Sequence, residues 1–171
     1  MLDSTSFAMA QQDVRYYLNG LLLEVAPDYI RVVATDGHRL ALHTEKMVVG
    51  VAAKHQVIVP RKGVLELSRL LADGEDDVSL VIGSNHIRVK TLNFTFTSKL
   101  VDGKFPDYDR VLPKGGDKIL LGNRNNLKQA LSRAAILSNE KFRGIRLMLA
   151  KDELKILANN PEQEEAEDVV T

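Results

Sequence analysis

The chain has 171 residues, 44% hydrophobic and 27% charged, with 23 Lys and Arg against 23 Asp and Glu; this is ordinary globular material, enough for one domain or two small ones. The absence of cysteine excludes a disulfide framework and thiolate metal sites. No run of about 18 apolar residues suggests a membrane span, and the start Met1-Leu2-Asp3-Ser4 lacks a basic-then-apolar signal peptide, so a cytoplasmic protein is expected.

In chain order, Leu2 to Ala10 reads as a short, poor helix. Gly20 to Ala34 reads as two strands broken at Pro27-Asp28. Val57 to Pro60 reads as a single strand leading into an amphipathic helix, Lys62 to Leu71. There Val64, Leu67 and Leu71 share one face, and Lys62, Glu66 and Arg69 share the other. Ser79 to Val89 is a second hairpin, broken at Gly83-Ser84-Asn85. Lys118 to Leu121 is a strand leading into a helix over Asn125 to Leu137, with Leu127, Leu131 and Ala134 at helical spacing. A third hairpin turns at Lys151-Asp152.

The order repeats. Gly20 to Ala34 lies without a gap on Gly144 to Ala158, with Gly20, Ala26, Asp28 and Ala34 recurring as Gly144, Ala150, Asp152 and Ala158. Ser79 to Val89 is a weaker copy between them. The unit is β-α-β-β-β, roughly 60 residues long. Two units form a domain over residues 1–115, Lys114-Gly115-Gly116-Asp117 is a linker, and residues 116–171 form a third, unpaired unit. The first unit lacks the strand that should precede its helix, so both ends look cut. A complete protein with three degenerate hairpins is the plainer alternative.

Charge is unevenly spread. Arg61, Lys62 and Arg69 outnumber Glu66 on one helix, and Arg124, Lys128 and Arg133 meet no acid on the other. Asp152, Glu153, Glu162, Glu164, Glu165, Glu167 and Asp168 outnumber Lys151 and Lys155 near the C-terminus. Basic helices and acidic strands and loops shape a field. No P-loop and no His-Glu-x-x-His is present. Asp36, His38 and His43 lack a neighbouring nucleophile. Asp73-Gly74-Glu75-Asp76-Asp77 lacks the spacing of a calcium loop and reads as a solvated turn, as does the run from Glu162 to Asp168. No metal and no cofactor are expected.

Five ordered stretches resemble the bacterial DNA sliding clamp, the β subunit of DNA polymerase III. They are Gln11-Gln12-Asp13-Val14-Arg15-Tyr16-Tyr17-Leu18-Asn19-Gly20, Ala34-Thr35-Asp36-Gly37-His38-Arg39-Leu40-Ala41, residues 96–108 (FTFTSKLVDGKFPDY without its first two letters), residues 138–144 and residues 158–167. The resemblance spans essentially the whole chain. It implies an α+β DNA-clamp fold, with helices on one face of antiparallel sheets. Residues 1–115 would be the middle domain, and 116–171 the first half of the C-terminal domain. The family forms a ring of two head-to-tail subunits of three similar domains, its helices lining the hole. The first domain and the rest of the last have no counterpart here, so this chain alone is not expected to close a ring.

The resemblance implies a non-catalytic accessory subunit of the polymerase III holoenzyme that encircles double-stranded DNA without reading sequence. It implies a pocket for short peptides from polymerases and the clamp loader, at Leu18, Thr35, Gly37, His38, Arg39, Leu40, Pro106 and Val111. Leu18, Leu40, Pro106 and Val111 would offer apolar surface, while backbone and His38 fix orientation. Without the family, Thr35 to Leu40 reads as a turn after a buried strand. Gln12, Arg15, Tyr16, Tyr17, Lys62, Arg69 and Lys128 would face DNA, and Ile136 and Leu137 a second subunit. Tyr16 and Tyr17, if on a strand, point to opposite faces, leaving one in the core; Lys62, Arg69 and Lys128 are otherwise solvated helix surface. Two rivals remain: a nuclease or polymerase subunit, which needs clustered carboxylates, and a truncated peptide-binding decoy or remnant that forms no ring.

Overall fold

A computed structural model describes residues 1–72, 77–139, 143–162 and 164–171. The chain divides into two compact units, Met1–Val111 and Leu112–Thr171. The division falls before the Lys114–Asp117 segment.

The first unit opens with two 3-10 turns, Ser6–Ala8 and Tyr16–Leu18. Strands β1 (Gly20–Ala26) and β2 (Tyr29–Thr35) are antiparallel and joined by the two residues Pro27 and Asp28, with Ala26 opposite Tyr29. Strand β3 (Leu40–Lys46) returns after the turn at 36–39. Strand β4 (His55–Pro60) pairs with the other edge of β1, Gly20 opposite Pro60, giving the order β3-β2-β1-β4. Helix α1 (Arg61–Leu70) follows directly. Strands β5 (Ser79–Ile82), β6 (His86–Lys90) and β7 (Thr95–Lys99) form a second antiparallel sheet.

The core contains Leu21, Leu23, Val25, Val32, Ala34 and Val59 of the first sheet, Val64 of α1, Ile87 of β6, and Leu100. Each such side chain, fully buried, stabilises by about 1.5–3 kcal/mol before entropy is counted. Every residue of β1 is buried: Leu21, Leu23 and Val25 lie in the core on one face, and Leu22, Glu24 and Ala26 on the other face are covered as well. A bond from Val101 N to Ile58 O (2.9 Å) ties β4 to the end of the second sheet.

In the second unit, helix α2 (Arg124–Ala134) begins at Asn123, whose Oδ1 accepts from the amides of Asn125 (2.9 Å) and Asn126 (3.1 Å). Strands β8 (Arg146–Ala150), β9 (Glu153–Asn159) and β10 (Glu165–Val170) lie in the order β10-β9-β8. Leu154, Ile156 and Ala158 alternate inward from β9 and meet Ala130 and Ala134. Arg133 Nε bonds Asp168 Oδ2 at 2.7 Å, joining α2 to β10.

The repeat is structural. The ungapped alignment lays Tyr29–Thr35 on Glu153–Asn159, and these are the spans of β2 and β9. The copies differ in burial: β1 is buried throughout, while all five residues of β8 are exposed.

Four sequence expectations are corrected. Leu2 to Ala10 contributes only the 3-10 turn Ser6–Ala8, since the segment offers too few successive residues to close a stable helix. Tyr16 and Tyr17 lie on a 3-10 turn, not a strand. Tyr16 is 57% exposed and Tyr17 half-buried, and it is Leu18 that enters the core. Lys118 to Leu121 forms no strand among the described residues, because no neighbour pairs its backbone. Helix α2 ends at Ala134, and Ala135–Leu137 tightens into a 3-10 turn. The acidic loop at 73–77 lies outside the described residues except for Asp77. Residues 140–142 of the fourth family-like stretch, and Gln163 of the fifth, lie outside them as well.

Candidate functional site

The turn after β2 is built by its own polar side chains. Asp36 Oδ1 accepts from the amides of His38 (2.9 Å) and Arg39 (3.0 Å), and its Oδ2 accepts from Arg39 Nε (3.0 Å). Burial pushes the Asp36 carboxyl up, but these donors outweigh it and hold the group below the usual carboxylate range. Thr35 Oγ1 accepts from the Gly37 amide (3.1 Å) and donates to Arg39 O (2.7 Å). Gly37 sits at φ +88°, where a side chain would be strained. The amides of residues 37–39 are therefore already bonded. The His38 side chain is exposed.

Two further segments meet this turn. Arg15 donates from Nε and Nη2 to Asp13 (3.0 and 2.8 Å), and from Nη2 to Asp36 O (3.3 Å). A Cβ placed on Gly37 would lie 3.1 Å from its guanidinium. The Arg15 bonds hold the Asp13 carboxyl down at about 2. One residue on, the Tyr16 ring rests against Gly103, at 3.4 Å from a Cβ built there. Residues 13–18 thus lie between the 36–39 turn and the loop that leads to Pro106. Arg39 places its guanidinium over the Phe7 ring, 5.6 Å from the centroid.

Of the expected peptide residues, Pro106 is exposed, Val111 is 67% exposed, and Leu40 is half-buried. Leu18 is only 2% exposed and belongs to the core, so it offers no contact surface in this structure. Of the expected DNA residues, Arg15 and Tyr16 are brought to the peptide residues, with Tyr17 edge-on to Tyr16 (5.8 Å). Gln12, Lys62 and Lys128 are exposed. Arg69 is exposed but paired with Glu66 at 2.6 Å, which reduces the field it can offer. Ile136 is 78% exposed and Leu137 half-buried.

The imagined acid-base group does not assemble. Asp36 is bonded within its turn, and His43 bonds Ser4 Oγ (2.8 Å) and Glu45 Oε1 (2.7 Å) instead. A serine, histidine and glutamate in line invite comparison with a hydrolase. However, Ser4 Oγ lies equally close to Met1 O (2.8 Å), a carbonyl that competes with the ring for its single proton. Among the described residues, no three His, Asp or Glu groups gather to hold a metal, and no helix is long and apolar enough to cross a membrane.

The central-domain model of the DNA polymerase III beta subunit matches residues 1–107, and the C-terminal-domain model matches residues 109–171. The chain belongs to the DNA polymerase III β subunit family. It is 66% identical to the beta sliding clamp of Pseudomonas putida over 171 residues, which is 100% of this chain and 47% of that protein. The crystal structure of the DNA polymerase III β subunit from Pseudomonas aeruginosa superposes with a TM-score of 0.96 at 64% identity, over 99% of this chain and 46% of the other. A second Pseudomonas aeruginosa clamp structure, bound to griselimycin, matches at TM-score 0.94 and 64% identity, over 100% of this chain and 46% of that one. The chain thus has the α+β clamp fold and spans about half the length of the relatives it matches.

Sequence reasoning missed Asp13, Glu24, Arg31 and Tyr108, whose side chains organise the loops. Glu24 carried a signal: a lone charge inside the apolar run Leu21–Ala26 is a buried, partnered group in a strand buried on both faces. Phe7 beneath Arg39 carried none.

Proposed function

We propose that the chain is the central part of a bacterial sliding clamp, a non-catalytic processivity factor of the replicative DNA polymerase. In that reading, head-to-tail subunits encircle double-stranded DNA, and a pocket on each takes short peptides from polymerases and the clamp loader. Residues 1–115 serve as the middle domain and 116–171 as the first half of the C-terminal domain, in the cytoplasm. Encirclement makes the linkage topological, so contacts from Lys62, Arg69, Lys128 and Gln12 need only be weak and blind to sequence. A polymerase held by its peptide stays at high effective concentration near the template. Exposed Ile136, beside Leu137, suits an interface with another subunit.

The observation that carries the pocket is the meeting of three separate segments, with Arg15 on Gly37 and Tyr16 on Gly103, the last in the loop that leads to exposed Pro106 and Val111. The relative bound to griselimycin supports a ligand site in this family. The test is titration of the chain with griselimycin. Replacing Leu40 by Asp puts a charge on the apolar surface and should weaken binding by about tenfold or more. Unchanged affinity would remove the pocket from this position.

A further inference from the structure

Among the described residues, one charged side chain is fully buried: Glu24, 0% exposed in the middle of β1. Its carboxylate is surrounded by donors. Tyr29 Oη donates to Oε1 at 2.6 Å and Gln56 Nε2 to Oε2 at 2.5 Å. Tyr108 Oη lies 3.3 Å from both oxygens. Lys54 Nζ (3.4 Å) and Arg31 Nη1 (3.7 Å) supply positive charge. Arg31 also donates from Nη1 to Tyr108 Oη (3.0 Å), so that hydroxyl accepts from Arg31 while donating to Glu24. Its guanidinium lies over the Tyr29 ring at 4.8 Å.

The cluster joins β1, β2 and β4 to a segment that has no strand of its own. After the bridge at Val101, residues 102–111 contain only the 3-10 turn Tyr108–Arg110. Phe105 and Tyr108 are its buried side chains, and they bracket Pro106. The Val111 amide donates to Tyr108 O at 3.1 Å. Pro106 and Val111 are therefore placed by where Tyr108 is held, and the Tyr108 hydroxyl is held by Glu24 and Arg31.

We propose that Glu24 and Arg31, acting through the Tyr108 hydroxyl, are positioning residues that set Pro106 and Val111 for ligand binding. The inference rests on the pocket reading above. The experiment titrates griselimycin into the 171-residue chain and its Tyr108→Phe, Tyr29→Phe and Leu40→Asp variants, with amide hydrogen exchange read in parallel. Tyr108→Phe keeps the ring in the core and removes only the hydroxyl. It should raise exchange at residues 104–111 while β1 to β4 stay protected, and weaken griselimycin binding by about tenfold, on the scale of one buried hydrogen bond to a charge. Tyr29→Phe removes a donor from the same carboxylate without a direct bond to the loop, and should weaken griselimycin binding less than Tyr108→Phe does. Equal losses in both tyrosine variants, or no loss in Tyr108→Phe, would overturn the inference while the pocket stands. Undiminished binding by Leu40→Asp, or no binding by the unaltered chain, would take the pocket reading and this inference down together.

Discussion

Gly37 and Asp13 show how single residues shape the candidate site. At φ +88°, with the Arg15 guanidinium 3.1 Å from where a Cβ would be, Gly37→Ala should cost about 1–2 kcal/mol of stability, read by chemical denaturation. Asp13 makes a charged pair with Arg15 whose strength depends on pH. Its folded carboxyl titrates at about 2, below the ordinary 3.8, chiefly through the Arg15 hydrogen bond. A depressed carboxylate contributes stability above its unfolded value, and loses it as pH falls through the folded one. The pair should thus hold intact at pH 5 and give way between about 4 and 2. Carboxyl NMR should find the Asp13 midpoint near 2, and Arg15→Gln should move it back toward 3.8; a midpoint already at the ordinary value would show that the pair does not form in solution.

Among the elements, β1 is the most constrained. Strands run along both its edges and its residues are buried throughout, which explains an apolar run broken only by Glu24. At its start, a Cβ on Gly20 would come within 2.5 Å of Val59 O and 2.8 Å of the Ile58 side chain. The β1–β4 spacing must open to admit it, so Gly20→Ala should destabilise by about 1–3 kcal/mol, seen as a lowered denaturation midpoint with unchanged slope. Helix α1 was readable from Val64, Leu67 and Leu71, and the hairpins from Pro27-Asp28 and Lys151-Asp152, because local spacing and turn chemistry decide those features. The failures have the opposite origin. Lys118 to Leu121 has a strand's composition, but a strand exists only with a paired neighbour. Tyr16 and Tyr17 have strand propensity, but Asn19 Nδ2 bonds Asp13 O (2.8 Å) and the Leu18 amide bonds Arg15 O (2.8 Å), which curls the segment into a turn.

Across the whole molecule, equal numbers of opposite charges leave no net attraction to DNA, and binding depends on where the basic groups sit. Lys62 and Lys128 are exposed, whereas Arg69 is paired with Glu66 and Arg133 with Asp168. Duplex affinity of the chain should therefore be weak, fall steeply with salt, and be equal for unrelated sequences. Lys62→Ala should reduce the logarithmic salt slope by about 1. Fluorescence anisotropy with two duplexes at several salt concentrations measures this, and a sequence preference or a flat salt response would refute the DNA-facing assignment.

The sequence by itself determined the ungapped repeat of 20–34 on 144–158, helices α1 and α2, the hairpin turns and the family, because period, turn residues and ordered motifs are local and survive in one dimension. Tertiary structure alone decided three things. The strand before α1 pairs with β1, although it opens the second repeat in the chain. Arg15 reaches the turn at Gly37 and Tyr16 the loop at Gly103, each far away in sequence. Glu24 carries a buried charge because Tyr29, Gln56 and Tyr108 converge on it from different elements. Each depends on which distant segments share space, and hydrogen-bond partners of a buried group are supplied by the fold and not by neighbours along the chain.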